Sequence, residues 1–80
     1  MIAFVKGIVA AVTEETVIVD VNGIGYELYS SGSVLRTAQT GERISLCTYM
    51  QVKEDGVTLF GFLDEQEKRL FLKLISAYTK

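Results

Sequence analysis

The strongest constraint on this chain is a change of hydrophobic period at Asp64. Upstream, apolar and polar residues alternate in short β-branched and aromatic runs. Downstream, Leu70, Phe71, Leu74, Ile75 and Tyr78 recur at the spacing of one helical face. The chain is β-patterned through most of its first 63 residues and helical in its tail. This pattern predicts an all-β body with one C-terminal α-helix. Asp64 is a good N-cap, and Glu67 three residues on predicts a capping-box pair.

Within the β part, the turn residues divide the chain into five strands. "MIAFVKGIVAAV" reads as one long strand from Ile2 to Val12, with Gly7 marking a bend or bulge. After the polar "TEE", the run "TVIVDV" sets Val17, Val19 and Val21 on one face. Asn22-Gly23 is a strong two-residue hairpin signal, because both residues tolerate positive φ. "YELYS" resumes as a third strand, with Tyr26 and Leu28 facing one way. "SGSVLRTAQTGE" breaks the pattern and predicts a short helical turn over Val34 to Ala38. "RISLCTYMQVK" is a fourth strand, long enough to serve two sheets, and "VTLFGFL" is the fifth. Three strands as a meander, a helical connection, then a hairpin is the order of a five-stranded OB-fold barrel of Greek-key type, with an SH3-like barrel as the alternative. The expected division is residues 1–63 as barrel and 64–80 as a helix packed on it.

Composition narrows the function. Eighty residues allow a thin core, yet 49% of the chain is hydrophobic. That surplus predicts apolar surface covered by something else, an oligomer partner or a neighbouring domain. The net charge of −2 excludes a barrel that grips duplex DNA by overall charge. The single cysteine, Cys47, forms no internal disulfide and fits a reduced, cytoplasmic setting. No apolar run approaches the roughly twenty residues of a membrane span, so no membrane role is expected. With no histidine, no metal-ligand cluster, no P-loop and no nucleophile elbow, the expectation is a non-enzyme without cofactors. Tyr26, Tyr29, Tyr49, Phe60 and Phe62 lie on predicted strands. They fit core or interface packing better than stacking on unpaired bases, since few basic residues are interleaved.

"KEDG", Lys53 to Gly56, has two readings. Asp55-Gly56 fits an Asp-Gly hairpin turn, with Glu54 a solvated acid beside it. Alternatively, a rigid hairpin presents paired negative charge. One such charge repels a phosphate about 7 Å away in water by only about 0.6 kcal/mol, so a functional role needs several copies brought together.

Four motifs, in order, carry a resemblance: "MIAFVKG" from Met1, "VNGIGYEL" from Val21, "VKEDGVTLFGF" from Val52 and "EQEKRLFLKLIS" from Glu65. Together the chain resembles the N-terminal domain of the bacterial RuvA family, which binds Holliday junctions and works with the RuvB motor in recombination and DNA repair. The resemblance implies an OB-fold barrel, and a homotetramer of four-fold symmetry on which the open four-way junction lies. It also implies an acidic pin at the crossover, whose matching positions here are Glu54 and Asp55. Lys53 beside them is a candidate phosphate contact. RuvB supplies the ATP hydrolysis in that family and is held by another domain. After "LKLIS" the family continues towards Gly-x-Gly-Pro and helix-hairpin-helix motifs, whereas "AYTK" follows here. The domains that grip the arms and recruit RuvB are therefore expected to be absent from this sequence. For this piece alone, an assembly module with no DNA contact of its own is the competing expectation.

Overall fold

The computed structural model describes residues 1–78, with side chains described as far as Ser76. Five strands, β1 (Phe4–Val12), β2 (Thr16–Val21), β3 (Ile24–Ser30), β4 (Arg43–Lys53) and β5 (Gly56–Phe62), close into a barrel in the order β1-β2-β3-β5-β4. A short helix α1 (Gly32–Thr37) sits between β3 and β4, and α2 (Glu65–Tyr78) follows β5. This is the closed five-stranded barrel of an OB-fold. All pairings are antiparallel except that of β3 with β5, which joins only at Tyr29↔Phe60 and Ser30↔Gly61. The long β4 is shared. Arg43 to Cys47 pair with β1, while Cys47 to Lys53 pair with β5.

The alternating pattern decides what is inside. Val5 and Val9 of β1, Val17 and Val19 of β2, Leu28 of β3 and Leu46 of β4 form the core, and α1 adds Val34 to it. Each such side chain removed from water is worth about 1.5–3 kcal/mol. Thr48 is also buried. Its hydroxyl donates to the Ile2 carbonyl at 2.6 Å and its N–H to Ala3 at 2.9 Å, which fastens the residues ahead of β1 across β4.

Two local expectations change. Gly7 is not the bulge. The register of β1 against β2 shifts between Val9 and Ala11 instead. Gly7 is needed because β1 presses onto β2 there: a Cβ would lie 2.3 Å from the Asp20 carbonyl oxygen. Nor does Glu67 form a reciprocal capping box. Asp64 caps the Glu67 N–H at 2.9 Å as expected. The Glu67 carboxylate reaches back to the Leu63 N–H (3.3 Å) rather than to that of Asp64, and also accepts from the hydroxyls of Ser31 (3.0 Å) and Ser33 (2.8 Å), tying the start of α2 to α1.

A second apolar cluster lies between the barrel and α2. Phe71 packs its ring 5.0 Å from Phe60 and 5.1 Å from Phe62, with Tyr49 alongside. Most of the strand aromatics are therefore packing residues. Tyr26 rests half-buried against the barrel core, and Tyr29 is exposed at the edge of the α2 cluster. Phe71 and Ile75 are partly covered, whereas Leu70 and Leu74 point to solvent. The side chain of Tyr78, the fifth residue of the predicted face, lies outside the described residues, as do Thr79 and Lys80.

Candidate nucleic-acid interface on the β4–β5 hairpin

The ladder between β4 and β5 continues from Cys47↔Phe62 out to Lys53↔Gly56, well past the pairings that hold either strand to the rest of the barrel. Leu59 still packs on the core, and from Gln51 and Thr58 onward the two strands form an arm of their own. Two residue steps take the arm from Gln51 to Lys53, roughly 7 Å of strand. Val52 and Val57 face each other across this arm and are 67% and 62% exposed.

The apex differs from an Asp-Gly turn. Lys53 pairs with Gly56, so the two loop residues are Glu54 and Asp55. Neither has positive φ, which rules out the type I′ geometry that Asp-Gly would give. Gly56 opens β5 at φ +152, a conformation that side chains rarely adopt, and there it absorbs the twist that the turn does not supply. The shift of one residue matters for charge. In an Asp-Gly turn only Asp55 would stand at the tip; here both carboxylates do. Both are exposed, and among the described residues neither side chain accepts a hydrogen bond or forms an ion pair. Lys53 is exposed immediately before them, on the last ladder position. The structure thus brings Lys53, Glu54 and Asp55 together at one projecting point.

Glu14, Glu15 and Glu42 are likewise exposed without a side-chain partner among the described residues, so position on the arm is what sets Glu54 and Asp55 apart, while other acids have structural duties. Asp20 accepts the Gly23 N–H at 2.8 Å, Glu27 accepts the Thr16 hydroxyl at 2.9 Å, and Glu67 joins the helices. Cys47 sits on β4 facing the start of α2. Burial, reinforced by the Glu65 carboxylate, pushes its thiol above the ordinary value. A raised thiol is a poor nucleophile at neutral pH, so Cys47 acts as a packing residue. Among the described residues no helix is long and apolar enough to cross a membrane.

Comparison with known proteins places this hairpin in a family context. The family model described as the RuvA N terminal domain matches residues 1–61. A protein of Nocardioides sp. named Holliday junction branch migration complex subunit RuvA is 46% identical over 77 residues, covering 96% of this chain and 38% of the relative. Proteins of the same name from Desulforamulus reducens and Orientia tsutsugamushi are each 45% identical, over 95% of this chain and 38% of their own length. The chain spans about two fifths of the length of the curated relatives it matches.

Proposed function

The chain belongs to the RuvA N-terminal domain family, and from that premise we propose that it forms the barrel of a cytoplasmic, non-catalytic subunit that holds Holliday junctions during branch migration. Its proposed assembly is a four-fold homotetramer working with the RuvB motor, which would supply the hydrolysis through contacts made by other domains. Glu54 and Asp55 are the proposed pin at the crossover. The observation that carries this reading is that both carboxylates stand unpartnered at the apex of an arm projecting from the barrel.

The chemistry is repulsion. One pair of solvated acids has little effect on a phosphate. Two from each of four chains, gathered within the roughly 8 Å screening length of physiological salt, make a field that phosphates entering the centre must avoid. Continuous duplex lying across the centre is disfavoured, while strands parting around the pins are tolerated. The acids thereby lower affinity for the wrong DNA shape and gain discrimination in exchange. Lys53, one position before the tip, is placed to meet a phosphate that has passed to the side of the pin.

The test is the double variant Glu54→Gln, Asp55→Asn in the assembled subunit. It should fold and assemble normally, bind duplex and four-way junction at least as tightly as the unaltered protein, and migrate branches at a changed rate. Unchanged affinity and unchanged migration would remove the pin. A salt titration separates this reading from an assembly module without DNA contact: junction binding that weakens steeply with salt supports it, and absence of binding supports the module.

A further inference from the structure

Two recesses meet at Lys6. The first is an apolar notch of about 220 Å3 lined by Ile2, Phe4, Val5, Val21 and Tyr26, with Lys6 at its rim. The second is a mainly polar cleft that shares Lys6 and Val21 with the notch and adds Arg43, Asn22 and Asp20. Strand register explains why they adjoin. Ile8 lies opposite Asp20 on one side and Arg43 on the other, and Lys6 is the next outward residue along β1. Lys6 and Arg43 are therefore diagonal neighbours on paired strands, close enough for one anion to reach both. Both are exposed, and among the described residues neither forms an ion pair. In the notch, Phe4 is 61% exposed, with the Lys6 ammonium 5.6 Å from its ring centroid. Phe4 is one of several large apolar residues exposed on this chain, and the one whose ring a lysine adjoins.

An aromatic-lined notch joined through a lysine to a cationic cleft has the chemistry of one nucleotide: a planar, weakly polar base next to an anionic phosphate. We infer that the Phe4/Tyr26 notch and the Lys6/Arg43 cleft together bind an unpaired nucleotide of a DNA strand, its base on Phe4 and its phosphate between Lys6 and Arg43. Asp20 refines the choice. Its carboxylate is held by the Gly23 N–H at 2.8 Å and remains in the cleft wall. Two cations and one anion leave a single positive charge, which matches a phosphodiester better than the dianion of a free nucleotide. The site thus favours a continuous strand, and it rests on the junction reading above for the source of that strand.

The experiment uses the purified chain and two probes, pentathymidylate and thymidine 5′-monophosphate, followed by tyrosine fluorescence and amide chemical shifts. Pentathymidylate should bind more tightly than the monophosphate and shift the amides of Phe4, Lys6, Val21, Tyr26 and Arg43. Phe4→Leu, which keeps an apolar side chain at an exposed position, should weaken it about tenfold by removing the stacking surface. Arg43→Gln should weaken it and reduce the dependence of log affinity on log salt by about 0.7. Failure of both probes to bind, or equal affinity for both variants and the unaltered chain, overturns the site. Equal binding of the two probes overturns the strand and leaves a free-nucleotide pocket. The Glu54→Gln, Asp55→Asn variant on a four-way junction gives an independent reading. If the junction responds to it while Phe4→Leu changes nothing, the nucleotide site falls and the junction reading stands. The reverse pattern removes the junction reading alone.

Discussion

The barrel has two hairpins with two-residue loops, and they solve the same geometric problem in opposite ways. At Asn22-Gly23 both loop residues have positive φ, 52° and 90°, so the turn twists with its strands. The Asp20 carboxylate is consumed by the Gly23 N–H. At Glu54-Asp55 neither loop residue has positive φ, and the conformational burden falls on Gly56. The two carboxylates there serve no turn. The first hairpin is thus accounted for by its own backbone, whereas the second carries charge that its backbone does not use. Residues left over once local structure is explained are the ones to examine for function.

That contrast can be broken at its root or at its tips. The largest loss of stability is expected from Gly7→Ala, because the added methyl would collide with the Asp20 carbonyl where β1 supports the first hairpin. Urea unfolding should show about 2–3 kcal/mol less stability. Gly23→Val should cost about 1–2 kcal/mol by the same measurement. Its Cβ would meet nothing within 4 Å, so the loss would be purely conformational. Asp20→Ala should cost about 0.5–1 kcal/mol through the lost acceptor of the Gly23 N–H. Glu54→Gln with Asp55→Asn should change thermal stability least, by under about 0.5 kcal/mol. Equal stability losses from Asp20→Ala and the Glu54/Asp55 pair would erase the distinction between a structural and a spare acid.

The sequence discloses these two hairpins unequally, for a physical reason. Asn22-Gly23 is legible because its conformation is set by the two residues themselves. The β4–β5 apex is misjudged by one position because register along a ladder reaching from Cys47↔Phe62 decides which residues turn. The same holds for Gly7, whose constraint is the carbonyl of Asp20 thirteen residues away, and for Glu67, which holds Ser31 and Ser33 as well as the Leu63 N–H at its own helix end. The strand count, the short connecting helix and the Asp64 cap all follow from local pattern and are found in the structure. The proposed role of Glu54 and Asp55 is of another kind. Alternation and turn chemistry yield only an acidic tip, and its proposed purpose depends on symmetry that one chain does not contain. Phe4 passes unnoticed in the sequence because an aromatic residue in an apolar run reads as core. Only the closed barrel shows it facing outward.

The seam between β3 and β5 joins at just Tyr29↔Phe60 and Ser30↔Gly61, whereas β1 and β4 pair continuously from Phe4↔Cys47 to Ile8↔Arg43. Mechanically the barrel is a split ring, with one welded joint and one clasp. A load applied at the projecting tip travels down β4 into the welded joint, and the clasp is the part that yields. Such a ring can flex its arm sideways without letting go of its core.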